Sequence, residues 1–214
     1  MGKAEAQSPL DAAALAAWAD DLRAMAALGL LYSGDPYDLE RYGRIQQIAA
    51  EMLGAAAATS SAVVRERLAA DFGYVTVKVG VAAAVFDDDG RQLLIQRQDN
   101  GLWAHPGGWA DVGEPPAAMA AREVREETGL QVRVGRLAGL YDSRMRGFGH
   151  AHHIYHIVFL CTVCGGAPAV TPEIRALAWF APSAPLPSLS PGHEPAVRDA
   201  FRLWADPGAP AVFD

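Results

Sequence analysis

Apolar residues recur every three or four positions through the first third of the chain, then switch to alternation. Leu15, Trp18, Leu22, Met25 and Leu28 form a stripe of helical period. Ser8 and Pro9 read as its cap and first helical position, and Gly29 as its stop. Asp35-Pro36 opens a second helix whose stripe is Tyr42, Ile45, Ile48, Ala49 and Met52, ending at Gly54. A third helix is expected from Ser60 or Ser61, carrying Val64, Leu68 and Phe72 before Gly73. Residues 1–73 therefore read as a small helical domain with too few stripes for a sizeable core of its own. Its apolar faces call for cover from the main domain, a second copy of the chain, or both.

From Tyr74 the period falls to two. Val75, Val77, Val79 and Val81 alternate and run into AAAVF, a strand. Asp87 to Gly90 is a hairpin turn signal, Gln92 to Arg97 the returning strand, and Asp99-Asn100-Gly101 a further turn. A helix is expected from Pro115, with Ala117, Ala121, Val124 and Thr128 as its packing stripe. Val132–Tyr141, Ile154–Val163 and Ala176–Phe180 read as strands, and Gly165 to Pro168 as a break. The proline-rich piece Pro182–Pro195 reads as an ordered surface loop, because it leads into a patterned helix bearing Val197, Phe201 and Trp204. Residues 74–214 thus form an α/β domain.

Composition narrows the function. The 214 residues are 51% hydrophobic with a net charge of -7, which disfavours a nucleic-acid binder relying on a basic surface. Metal ions can still invert the local sign and admit phosphates. No apolar run reaches the ~20 residues that span a bilayer, and MGKAEAQSPLD lacks the order of a signal peptide. The expectation is a soluble, cytoplasmic protein without a membrane partner. Cys161 and Cys164 are too few for a disulfide framework and read as two buried structural cysteines.

The chemistry concentrates in Gly108–Leu130, GWADVGEPPAAMAAREVREETGL. Helical spacing places Glu123, Glu126 and Glu127 on one face, where they repel one another unless a cation intervenes. All-oxygen, negatively charged faces suit hard ions such as magnesium. Arg122 lies four residues before Glu126 and can orient it. Glu114 sits near the helix start, where negative charge is favoured. The glycines at 107 and 108 allow close backbone approach, so a carbonyl of Gly107 or Gly108 is a further candidate oxygen ligand.

Other candidates are less marked. Arg97 ends a strand and reads equally as a surface charge or a phosphate contact. Trp103 and Trp109 flank the glycine turn, either able to stack on a base or to pack in the core. Arg144, Arg146 and His152 lie in a loop suited to phosphate or headgroup recognition, though a plain polar loop is the simpler reading. His152 and His156 share a strand face roughly 13 Å apart at ~3.3 Å per residue, too far to ligate one ion easily.

Gly108, Glu114 and Arg122-Glu123-Val124-x-Glu126-Glu127-x-Gly129-Leu130 resemble the Nudix box at each defining position. The resemblance implies an α/β/α sandwich with a mixed sheet, and hydrolysis of a nucleoside diphosphate linked to another group. It implies magnesium, with manganese a substitute, held by Gly107, Glu123, Glu126 and Glu127. Glu126 or Glu127 are then the first general-base candidates, with Glu173 the alternative outside the box. Trp18 to Met52, with GLLYSGDPYDLERYGRIQQIAAEML, resembles the helical extension of a Nudix subgroup that includes CDP-choline and ADP-ribose pyrophosphatases. That likeness continues into LWAHPGGWADVGE and LPSLSPG. A homodimer through the N-terminal helices is expected. The rival readings are a nucleotide-binding regulator without turnover and a phosphohydrolase of RNA ends.

Overall fold

Three helices open the described chain: α1 (Ala12–Tyr32), α2 (Pro36–Ala56) and α3 (Ser61–Ala69). The structure is a computed structural model that describes residues 12–69, 75–146 and 153–214. The expected cap at Ser8-Pro9 and the close of the third helix at Phe72-Gly73 lie outside the described residues. Asp35 caps α2 as expected, accepting from the amides of Tyr37 at 2.8 Å and Asp38 at 3.2 Å.

The face that α1 buries differs from the sequence expectation. Ala16, Ala19, Arg23 and Ala26 are buried, whereas Trp18, Met25 and Leu28 are 51%, 57% and 38% exposed. Small side chains let α1 and α2 approach closely, with Ala16, Ala19 and Leu53 at the centre of the contact. Arg23 is buried beside Asp20 at 3.8 Å. Gly29 does not stop the helix, which runs on to Tyr32. A Cβ there would fall 2.4 Å from the Tyr42 ring, so the glycine serves helix–helix approach instead. α2 likewise continues two residues past Gly54.

The chain divides into two compact units, the first ending at Val77 and taking in His153. The second begins at Lys78 and takes in Ile154–Asp214. It is built on strands β1 (Lys78–Phe86), β2 (Gln92–Arg97), β3 (Trp103–Ala104), β4 (Gly107–Trp109), β5 (Leu130–Asp142), β6 (Ile154–Gly166), β7 (Ile174–Phe180) and β8 (Val212–Phe213). Helix α4 (Pro116–Thr128) follows β4, and α5 (His193–Ala205) follows β7. The main path through the sheet is β3-β2-β1-β6-β5-β8, with β4 added to β1 and β7 to β2. β1–β6 and β5–β8 are parallel and the other pairs antiparallel, which makes the sheet mixed.

Alternation along β1 supplies two cores. Val81, Ala83 and Val85 pack with Met119, Ala120 and Val124 of α4. Ala84 and Phe86 pack with Ala196, Ala200 and Leu203 of α5, and Phe86 stacks on Trp204 at 4.3 Å. Helix, sheet and helix form the three layers that the sequence led us to expect. The loop before α5 is ordered through β3: Trp103 donates to the Ser188 carbonyl at 2.9 Å, and the Ser190 amide donates to the Trp103 carbonyl at 2.8 Å. Cys161 is buried, its thiol pushed up to about 12 by burial, but Cys164 is exposed. The expectation of two buried cysteines fails because residues three apart on a strand face opposite sides. Among the described residues no helix is long and apolar enough to cross a membrane.

Candidate active site

β4 brings the glycine turn against β1, in register Val81 with Gly108 and Ala82 with Gly107. There is no room for side chains here. A Cβ on Gly107 would lie 2.3 Å from the Val81 carbonyl oxygen, and one on Gly108 would lie 2.9 Å from Glu123 Oε1. The chain then enters α4 through Pro115, which has no side-chain cap to offer. Gly129 closes the helix in the left-handed region at φ 73°, its amide bonded to the Arg125 carbonyl.

Arg122 is the hub of the acidic cluster. Its Nε reaches both oxygens of Glu114 at 3.0 and 3.1 Å. Nη2 donates to Glu114 at 2.9 Å and Asp111 at 3.0 Å, and Nη1 reaches Glu126 at 2.8 Å and Glu123 at 3.1 Å. Hydrogen bonds to Glu114 and then Glu126 hold the guanidinium still further into its charged form. The pairing of Arg122 with Glu126 follows from helical spacing. The Glu114 and Asp111 contacts do not, because the loop before α4 folds back to make them.

Glu127 points into the protein. Its Oε2 accepts from the Gly107 amide at 2.9 Å. Burial pushes its carboxyl up to about 8; Glu123 and Glu173 add to this, while the Gly107 amide and Arg97 oppose it. Burial also raises Glu123, with Arg122 opposing and Glu126 and Glu173 adding. Glu123 and Glu127 thus flank the glycine turn, Glu126 stands outward with Arg122, and Glu173 acts on the first two from a separate loop. His105, buried at the same turn, is held neutral by desolvation, its pKa down to about 4.

The remaining sequence candidates are scattered. Arg97 is paired with Asp99 at 2.6 Å and lies within electrostatic reach of Glu127. Trp109 is 54% exposed at the end of β4, whereas Trp103 packs edge-on against Phe180 at 5.5 Å. The Arg144 amide donates to Asp142, and its side chain is at the surface. Arg146 is engaged by Asp214 through Nε at 2.8 Å and lies over the Tyr141 ring at 5.4 Å. His152 lies outside the described residues. Sequence reading missed Asp111, Asp214 and Thr171. Asp111 was within the motif stretch, but nothing local ties Asp214 to Arg146 or Thr171 to the Glu127 carbonyl, partners that lie far off in sequence.

The donor set fits a hard divalent cation. Every side-chain donor is a carboxylate oxygen, and two of the carboxylates sit where burial and mutual repulsion oppose their ionised forms. A nearby positive ion would relieve both penalties. Among the described residues no group of three or more His, Cys, Asp or Glu side chains is placed to hold a metal ion by itself. Magnesium does not need such a group, since it keeps several waters and takes one or two carboxylates.

A glycine turn delivered by a short strand, feeding a glutamate-lined helix that packs on a mixed sheet, defines a Nudix hydrolase, and the chain belongs to that family. The Nudix-domain family model matches residues 76–200. A second model, for the UDP-X-like N-terminal oligomerisation domain, matches residues 13–68. The chain is 33% identical over 178 residues to YjhB of Bacillus subtilis (strain 168), provisionally named an ADP-ribose pyrophosphatase, across 81% of this chain and 83% of that one. It is 34% identical over 121 residues to an ADP-ribose pyrophosphatase of Methanocaldococcus jannaschii, across 55% of this chain and 70% of that one. Among solved structures, a UDP-X diphosphatase superposes with a TM-score of 0.59 at 27% identity, covering 96% of this chain and 100% of the other.

Proposed function

We propose that the chain hydrolyses the diphosphate bond of a nucleoside diphosphate joined to a second moiety, in a magnesium-dependent reaction. ADP-ribose and CDP-choline are the first two substrates to test. The observation that carries this is the placement of Glu123 and Glu127 beside the glycine turn, Glu127 buried against the Gly107 amide, with Glu126 held next to them by Arg122. The relatives named as ADP-ribose pyrophosphatases support the diphosphate-linked substrate class.

Glu123, Glu126, Glu127 and the Gly107 carbonyl would hold the ion. A divalent ion held there would neutralise the diphosphate and make a neighbouring water more acidic. The protein's own part is positioning and proton transfer. Arg122 fixes the direction of Glu126 and ties it to Glu114 and Asp111. The Gly107 amide fixes Glu127. With those carboxylates committed, Glu173 is the proposed general base. It is exposed, and its charge is felt at both Glu123 and Glu127. It takes the proton of the attacking water, and the bond from phosphorus to the bridging oxygen breaks. A nucleoside monophosphate and a phosphorylated second moiety leave.

The test is a panel of nucleoside diphosphate derivatives with magnesium, its products identified by mass. Two phosphorylated halves are expected, and chelation should abolish them. Wild-type turnover in both Glu126→Gln and Glu127→Gln would end the assigned metal role. We also infer a homodimer through the N-terminal helices, supported by the exposed apolar residues of α1 and by the match to an oligomerisation domain. Light scattering that finds an active monomer would overturn it.

A further inference from the structure

A helix ends in carbonyls that it cannot satisfy itself. On α4 two of these are taken by the loop between β6 and β7. The Ala169 amide donates to the Thr128 carbonyl at 2.8 Å, and Thr171 Oγ1 donates to the Glu127 carbonyl at 3.2 Å. The same hydroxyl accepts from the Glu173 amide at 3.4 Å. One oxygen therefore joins the main chain of Glu127 to that of Glu173. From the other side, the Gln98 amide donates to the Glu173 carbonyl at 3.3 Å. The loop can come this close because residue 129 is glycine: a Cβ there would lie 2.6 Å from the Ala167 carbonyl oxygen.

We propose that Thr171 is a positioning residue, whose hydroxyl sets where the Glu173 carboxylate stands relative to Glu127. The proposal rests on the reading of Glu173 as general base. A base placed by a loop depends on whatever anchors that loop, and small misplacements of reacting groups are costly to turnover. Thr171 is the only residue of this loop whose side chain bonds to both α4 and Glu173 among the described residues. Valine keeps its branched shape but neither donates nor accepts, whereas serine keeps the hydroxyl.

The experiment is a mutant cycle read by steady-state kinetics, on whichever diphosphate substrate the wild type turns over. Thr171→Val should lower kcat about tenfold with KM changed less than about twofold, and Thr171→Ser should restore most of the rate. In a Glu173→Gln background, Thr171→Val should change kcat by less than about twofold, because the group it positions is already disabled. Thermal melts accompany each variant, and Thr171→Ala replaces valine in the cycle if the valine variant does not fold. An active wild type with an unchanged Thr171→Val variant overturns the role of Thr171 alone. So does a loss of equal size in the Glu173→Gln background, which would mark a merely structural contact. Failure of the wild type on the whole panel removes the functional reading, and this one with it.

Discussion

Arg122 reaches four carboxylates from one planar guanidinium, and no other side chain could replace it. Lysine would keep the charge but present a single nitrogen, losing the fork that spans Glu114 and Glu126. Arg122→Lys is expected to lower kcat about tenfold or more while folding normally, checked by kinetics beside circular dichroism. Glu127 gives a second prediction. Its folded pKa, about 8, lies above the ordinary 4.5, so folding takes up a proton between those values. Stability of the chelated protein should therefore fall as pH rises through that window. Thermal melts in chelator should show this, magnesium should reverse it, and Glu127→Gln should flatten it. A pH-independent melting temperature in chelator would refute the buried, unstable carboxylate. At this scale the box was legible because its glutamates recur at helical spacing. Asp111 was not, because a loop's return path has no period.

Among the elements, α5 ends on a single side chain. Arg136 of β5 donates to the carbonyls of Leu203, Asp206 and Ala209, closing the end of α5 and the turn beyond it. Replacing it with methionine should cost about 2 kcal/mol or more, since a charged donor to several carbonyls is lost at a helix end where positive charge is favoured. Urea denaturation would measure it, and a loss under half that size would mean that solvent serves the carbonyls as well. Gly129→Ala should also destabilise, by about 1 kcal/mol or more, because alanine is strained at that φ and crowds the Ala167 carbonyl. The long strands and helices were readable from periodicity. β3, β4 and β8 were not, for two or three residues hold no period; they form because neighbouring strands offer unpaired edges. Gly29 misled for a related reason. A helix stop and a close helix crossing call for the same residue, and only the Tyr42 ring distinguishes them.

For the whole molecule, the apolar side chains that α1 leaves exposed are the basis of the proposed homodimer. Trp18→Asp with Met25→Asp should shift the assembly to monomers, while the α4 carboxylates and Arg122 stay in place. Sedimentation would report the change, and a dimer that survives both substitutions would locate the interface elsewhere. The parallel pairing of β1 with β6 bears on how the chain becomes folded. Lys78 lies beside Ile154 and Phe86 beside Thr162, so the central ladder joins segments far apart along the chain. During synthesis β1, β2 and α4 emerge well before β6 exists. β1 must wait with one edge open and its α5-facing residues, Ala84 and Phe86, uncovered. Such long-range pairing forms slowly and leaves a strand edge that other chains can capture. The α1–α2 hairpin closes through near neighbours and can form early. Refolding should accordingly proceed in at least two phases, the later one sensitive to protein concentration, with the β1–β6 ladder closing in that later phase.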